Sequence, residues 1–361
     1  MKITEMKLGL IKAPLRVPFR TALREVSSVE DIVVELYSDD GFVGRGEAPP
    51  TAAVTGETLG SIEAALRGHI APAILNIDAS LDEILSAISR SIVGNSSAKA
   101  AAEIAVWDIY AQQCRLPLYR LLGGDKPHIV TDLTISVNDP ETMARDTRDA
   151  VARGYETLKI KVGENPALDI ERLRAVRAAA PDATIRIDAN QAWRPRQAVS
   201  ILENMQSEGL DIELVEQPVK AGDLDGLQFV TEHSPVPVMA DESMFSPRDA
   251  MEIMQRHAAD YVNIKLMKCG GLSNALRIVS AAEVYGVECM IGCMLEAKVS
   301  VTAAVHLACA KSVITRVDLD GPALCSEDPV IGGAVFDGRN ISLTDAPGLG
   351  IRGVENLAYL V

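Results

Sequence analysis

Beyond residue 129 the chain alternates between short apolar, β-prone runs and amphipathic segments with helical spacing. The apolar runs fall at 132–137, 157–162, 184–188, 212–216, 236–240, 261–265, 288–291 and 315–319. Segments such as 167–179, 195–208 and 274–285 lie between them and carry apolar residues on one helical face. Short apolar runs bounded by turn residues predict buried strands, and a 3.6-residue period predicts helices. Seven to eight such units in about 190 residues is the count of a (β/α) barrel. The competing doubly wound sheet usually has a glycine-rich phosphate turn after its first strand, and none follows here.

The first third reads differently. Residues 7–17, 31–37 and 42–46 predict three strands, with Asp39-Asp40-Gly41 as the turn between the last two. Helical pattern follows at 58–69, 81–90 and, most strongly, 97–114, before Pro117 and Gly123-Gly124 punctuate the chain. Strands followed by helices predict an α+β unit. The tail has its own strands and turns and cannot be a further barrel unit, so it is expected to return to the N-terminal part. The expected division is an α+β cap at 1–125, a barrel at 126–325 and a tail at 326–361 that completes the cap.

A buried strand does not end in a charge without a reason, because a desolvated charge is costly. Here Lys159 and Lys161, Asp188, Glu216, Asp241, Lys265, and Asp318 with Asp320 each close an apolar run. Successive anchors from Lys161 to Lys265 are 27, 28, 25 and 24 residues apart, the length of one strand, one helix and two loops. Asp188, Glu216 and Asp241 end neighbouring strands. Three converging carboxylates repel one another unless a cation joins them, and hard oxygen ligands suit Mg²⁺. Asn190 and Glu242 stand close enough in sequence to hydrogen-bond those ligands. Lys159 and Lys161, two apart on a strand, point to one face. Their mutual repulsion and their burial both favour a neutral amine, which is a base. Lys265 ends the strand across the barrel mouth, so lysines reach a central substrate from opposite sides. That arrangement suits moving a proton from one face of a carbon to the other. Lys268 is expected outside the site.

Net charge narrows the partners. At −15, with a pI near 4.9, the chain lacks the basic face that nucleic-acid binding needs. An acidic small substrate stays possible, because local lysines and a metal outweigh a distant negative surface. The longest apolar stretch, 289–310, is broken by Glu296, Lys298 and His306 and reads as a buried strand and helix, not a membrane span. No signal segment is visible at the N-terminus, so a cytoplasmic protein is expected, with its six scattered cysteines reduced and no zinc site.

The segments Leu158-Lys159-Ile160-Lys161-Val162-Gly163, Ile187-Asp188-Ala189-Asn190-Gln191, Val215-Glu216-Gln217-Pro218, Met239-Ala240-Asp241-Glu242-Ser243 and Asn263-Ile264-Lys265 follow one another in that order. With them the chain resembles, over essentially its whole length, the muconate-lactonizing-enzyme subgroup of the enolase superfamily. The resemblance implies an N-terminal α+β capping domain with mobile lid loops over a (β/α)7β barrel, a modified TIM barrel of the α/β class. It also implies Mg²⁺ and removal of a proton α to a carboxylate, giving an enediolate held by the metal. A lysine or histidine base beside Mg²⁺ is established chemistry for that superfamily.

The subgroup holds several reactions, and the eighth strand separates them. Asp318-Leu319-Asp320 puts two carboxylates on one face beyond what a metal needs. They would bind a cationic group such as a free α-ammonium. The motif is similar to the one with which dipeptide epimerases hold the dipeptide N-terminus. The loop at 19–24 is similar to the lid of epimerases acting on Ala-Glu, in which the arginine equivalent to Arg24 faces the glutamyl carboxylate; Arg20 is its rival. Thr134 and the stretch from Cys293 to Glu296, Leu295 included, are expected to line the pocket, with a second lid loop at 49–56. The implied activity is two-base epimerisation of a dipeptide at the α-carbon of its second residue, with Ala-Glu foremost. That activity would fit murein peptide recycling. The subgroup commonly forms symmetric oligomers, so a homo-oligomer is expected. Within enzymes the alternatives are another dipeptide specificity, an N-succinylamino-acid racemase or an o-succinylbenzoate synthase. Outside enzymes the alternative is a metal-binding barrel that has lost catalysis.

Overall fold

The computed structural model describes residues 1–20 and 25–361. Three antiparallel strands open the chain: β1 (Ile3–Arg20), β2 (Glu25–Ser38) and β3 (Val43–Ala48). The alanine-rich helix Ser96–Gln113 lies on them and is buried nearly all round. It can be, because it is covered on two sides. The cap sheet packs against one side. Against the other, Ser97 Oγ reaches Met267 Sδ at 3.5 Å and Glu103 accepts from the Ser273 N–H at 3.3 Å, both in the barrel. The approach to β3 is close enough that a Cβ on Gly44 or Gly46 would overlap the carbonyl oxygens of Ala105 and Ala101. Gly46→Val is therefore expected to cost about 3 kcal/mol through overpacking, read as a lowered urea midpoint. An unchanged midpoint would show that the helix can shift freely.

After β4 (His128–Val130) come eight parallel strands: β5 (Leu133–Ile135), β6 (Thr157–Lys161), β7 (Thr184–Asp188), β8 (Ile212–Glu216), β9 (Val238–Ala240), β10 (Tyr261–Lys265), β11 (Glu288–Gly292) and β12 (Ile314–Asp318). They pair in chain order from β5 to β12. The ends meet where the Asp132 N–H donates to the Val317 carbonyl at 3.2 Å and the Leu319 N–H to Thr131 Oγ1 at 2.9 Å. The strands at 184–188, 212–216 and 261–265 run as the apolar pattern predicts. The first barrel strand is shorter than its apolar run, because the chain leaves for the cap at Val137, whose N–H donates to the Arg20 carbonyl at 3.4 Å. The helical run at 58–69 is α-helical over Leu59–Ala65 and closes as a π-helical turn, Leu66–Ile70.

The tail supplies β13 (Val330–Gly332), β14 (Val335–Asp337), β15 (Asn340–Ser342), β16 (Ile351–Val354) and β17 (Ala358–Tyr359). β17 pairs antiparallel with β1 and becomes the fourth strand of the cap sheet, while β15 pairs with β4.

Buried acids join cap and barrel. Glu47 at the end of β3 accepts from the N–H groups of Ala297 at 2.8 Å and Ser300 at 2.9 Å, beyond β11. Glu296 accepts from the Met294 N–H at 2.6 Å and also touches the Ser300 hydroxyl. Asp31 on β2 is 1% exposed, and its Oδ2 has no partner. Burial and the neighbouring carboxylates push Asp31 far above the usual range, and burial pushes Glu296 up to about 7.

Candidate active site

Parallel strands end at one rim of the barrel, so a residue closing one run is carried to the mouth beside those closing the others. The register makes this concrete: Lys161 pairs with Asp188, and Asp188 with Glu216, across β6, β7 and β8. β6 and β10 stand four places apart in the eight-strand order, so Lys161 and Lys265 come from opposite walls. Both line one pocket with Lys159, Thr134, Asn190, Asp241, Glu242, Leu295, Asp318 and Asp320. Asp188 and Glu216 lie beneath it, fully buried. Arg24 falls outside the described residues.

The pocket is a dense ion lattice. Lys159 Nζ reaches Asp318 Oδ2 at 2.7 Å, Glu216 Oε2 at 2.8 Å and Asp188 Oδ2 at 3.2 Å. Lys161 Nζ donates to Asp188 Oδ2 at 2.6 Å, and Lys265 Nζ to Asp241 Oδ2 at 2.8 Å. These pairs hold Lys159 and Lys265 as ammonium groups. Burial does favour neutrality, but Asp318, Glu216 and Asp188 outweigh it at Lys159, and Asp241 and Glu216 outweigh it at Lys265. Both ammonium groups are held well above the ordinary lysine range. Conversely, despite its burial, Asp188 is held down to about 2 by Lys161 and Lys159. Asp320 accepts from the Thr134 N–H at 2.7 Å, and burial with Asp318 pushes it up to about 6.

Several working contacts are not where the sequence puts them. Asn190 meets Asp188 through its backbone N–H at 2.8 Å, while its side-chain amide donates to Glu242 at 3.3 Å. Lys268 is not outside the site. It is fully buried, contacts both the carboxylate and the carbonyl of Asp241, and lies 3.3 Å from the Asn263 carbonyl. It sits one turn beyond Lys265, in the short helix Leu266–Cys269, which brings it back under β9. Asn263 donates to Glu216 Oε1 at 3.0 Å. Gln217, at φ +38°, accepts from the Asp241 and Ser243 N–H groups at 2.9 and 3.1 Å and so fastens the β9 loop to β8. Left-handed backbone just after an acid is the kind of strain that marks a functional turn, but it is invisible in sequence.

The donor set fits a divalent cation. Six carboxylates crowd the mouth (Asp188, Glu216, Asp241, Glu242, Asp318, Asp320) against four ammonium groups (Lys159, Lys161, Lys265, Lys268). The lining is short of positive charge: burial and like-charged neighbours push Glu216 up to about 8 and Glu242 up to about 7. Glu242 Oε2 and Asn190 Oδ1 are also buried without partners. Among the described residues no three acid, histidine or cysteine side chains form a ready metal cage. The Lys159 ammonium already bridges Asp188 and Glu216, so a cation would share those carboxylates with it.

Comparison with known proteins gives the family. Residues 4–123 match the mandelate racemase/muconate lactonizing enzyme N-terminal domain, and residues 142–356 the enolase C-terminal domain-like family. The L-Ala-D/L-Glu epimerase of Clostridium acetobutylicum is 55% identical over 99% of this chain and 100% of that protein. The substrate-liganded structure of the L-Ala-D/L-Glu epimerase from Bacillus subtilis superposes with a TM-score of 0.96 at 47% identity, covering 98% of this chain and 99% of that one. A dipeptide epimerase from Enterococcus faecalis, complexed with Mg and L-Leu-L-Tyr, gives a TM-score of 0.94 at 40% identity over 98% and 100% of the two chains. The chain belongs to the mandelate racemase/muconate lactonizing enzyme family of the enolase superfamily.

As a family member it has the expected cap and barrel. Its pocket as it stands is small, about 80 Å³. Phe19, Thr51, Ala53 and Val54 of the cap line it as well. Among the described residues no helix is long and apolar enough to cross a membrane.

Proposed function

We propose that the protein is a Mg²⁺-dependent dipeptide epimerase acting on L-Ala-D/L-Glu. The observation that carries the reading is the pair of lysines on opposite barrel walls, Lys161 and Lys265, facing one pocket above the buried carboxylates. One removes the α-proton of the second residue from one face; the carbon becomes planar; the other lysine delivers a proton to the opposite face. Asp188, Glu216 and Asp241 would hold Mg²⁺, which would draw charge from the substrate carboxylate and acidify the neighbouring C–H. Lys159 adds a fixed positive charge beside that carboxylate. Lys265 accepts a proton only when Asp241 no longer holds it as an ammonium, so its release from that carboxylate precedes its action as a base.

Asp320 supports a substrate with a free amino end. It lines the pocket, and Asp318 beside it is already taken by Lys159. A substrate acylated on its nitrogen, as in an N-succinylamino-acid racemase, has no ammonium for it. Asp320→Ala is therefore expected to raise KM for dipeptides about tenfold or more with a smaller change in kcat. Equal KM values in steady-state assays would remove this role. The glutamate preference rests on Arg24.

The deciding experiment is incubation with L-Ala-L-Glu and Mg²⁺ in D₂O, following the glutamyl α-proton by NMR. Loss of the signal together with a new diastereomer establishes reaction and substrate. No exchange with this or other dipeptides would end the epimerase reading. Comparing L-Ala-L-Leu in the same experiment measures the preference assigned to Arg24.

A further inference from the structure

A cavity larger than the catalytic pocket lies elsewhere among the described residues. It holds about 1120 Å³ and runs between the cap, the barrel flank and the tail. That is at the upper end of ligand-sized cavities. Its walls carry five cationic side chains and two acids. One of the cations, Lys298, is already paired with Asp328. The other four, Arg16, Arg115, Arg153 and Arg352, make no ion pair and no side-chain hydrogen bond among the described residues. Arg153 instead lies over the Tyr155 ring, its guanidinium carbon 5.3 Å from the centroid, which holds it at the cavity wall.

Four separate segments of the chain bring these arginines together: Arg16 from β1, Arg115 from just beyond the long cap helix, Arg153 from the barrel and Arg352 from β16. The chain as a whole carries 50 acids against 35 lysines and arginines, so acids to pair with them are plentiful elsewhere. These four exposed arginines face one further carboxylate, Glu327, so the concavity keeps a net positive charge and a positive potential. Guanidinium forks match phosphate and carboxylate oxygens bidentately. The wall nearest the catalytic pocket is the single helical turn Gly321–Leu324: Gly321 and Leu324 line the pocket, while Pro322 and Ala323 line the cavity.

We propose that this cavity is a binding site for a small multivalent anion carrying phosphate or carboxylate groups, held by Arg16, Arg115, Arg153 and Arg352 and lying one helical turn from Asp320. The site is independent of the reaction assigned above. Calorimetric titration of the full chain with pyrophosphate and, separately, with citrate tests it at low and at physiological salt. At least one probe should bind saturably, with affinity falling as salt rises. Binding should be at least about tenfold weaker in the R153E/R352E variant and unchanged in R196E, an exposed charge reversal outside the cavity. Pyrophosphate binding alone assigns phosphate as the ligand chemistry and citrate alone assigns carboxylates, and either supports the site. No saturable binding by either probe, or binding that survives R153E/R352E intact, overturns it.

Discussion

Replacing Lys265 or Lys161 with alanine is expected to lower epimerisation by roughly a thousandfold or more, the scale of losing a positioned acid–base group. The loss is not symmetrical, and that is what makes it informative. Lys161 and Lys265 stand on opposite walls of the barrel, so in the proposed two-base reaction each variant keeps access to one face of the α-carbon. In D₂O, Lys265→Ala should still exchange the α-proton of the single diastereomer whose hydrogen faces Lys161, without inverting it. Lys161→Ala should exchange only the other diastereomer. NMR on the two pure dipeptides separates the cases. Exchange of both diastereomers by one variant, or epimerisation near the wild-type rate, would mean that one base serves both faces.

Lys268→Met should do a different kind of damage. The Lys268 ammonium has no exposed surface and is tied to Asp241 and to the Asn263 carbonyl. Methionine fills much of the volume but leaves Asp241 with Lys265 as its remaining close cation and removes one donor from the Asp241 carbonyl, which keeps the Met244 N–H at 3.1 Å. Breaking a buried pair in this way costs about 3–5 kcal/mol. Loss of a group that orients a ligand carboxylate should weaken Mg²⁺ about 10–100-fold. Urea denaturation and calorimetric Mg²⁺ titration measure the two effects separately. If both are unchanged, Lys268 neither supports the fold nor orients Asp241.

The contrast between these two lysines shows what the sequence reveals. Lys161 and Lys265 are legible because each closes an apolar run, where a charge needs explaining. The same logic finds Asp188, Glu216 and Asp241, and the spacing between them fixes the barrel. Lys268 sits in four helical residues next to a glycine pair and reads as an ordinary surface lysine; only the three-dimensional return of that turn under β9 buries it. Gln217 and Asn263 are equally silent, since their value lies in bonds to neighbouring strands. The charge held on Lys159 and Lys265 is hidden from the sequence for a related reason. Sequence shows that two lysines share a strand, but not how many carboxylates will lie within reach of them.

The acids between cap and barrel carry one more consequence. Glu296 titrates at about 7 in the folded protein against an ordinary 4.5, and Asp31 is shifted the same way. The native joint thus keeps protons that the unfolded chain has given up. Its contribution is complete below the ordinary carboxyl range and is lost as pH rises through about 7. In effect a hydrogen ion is a structural ligand of the molecule, held where the cap sheet meets the loop that presents Leu295. Hydrogen exchange of β2 and β3 should quicken as pH is raised through neutrality, beyond the intrinsic rate, while the barrel strands stay protected.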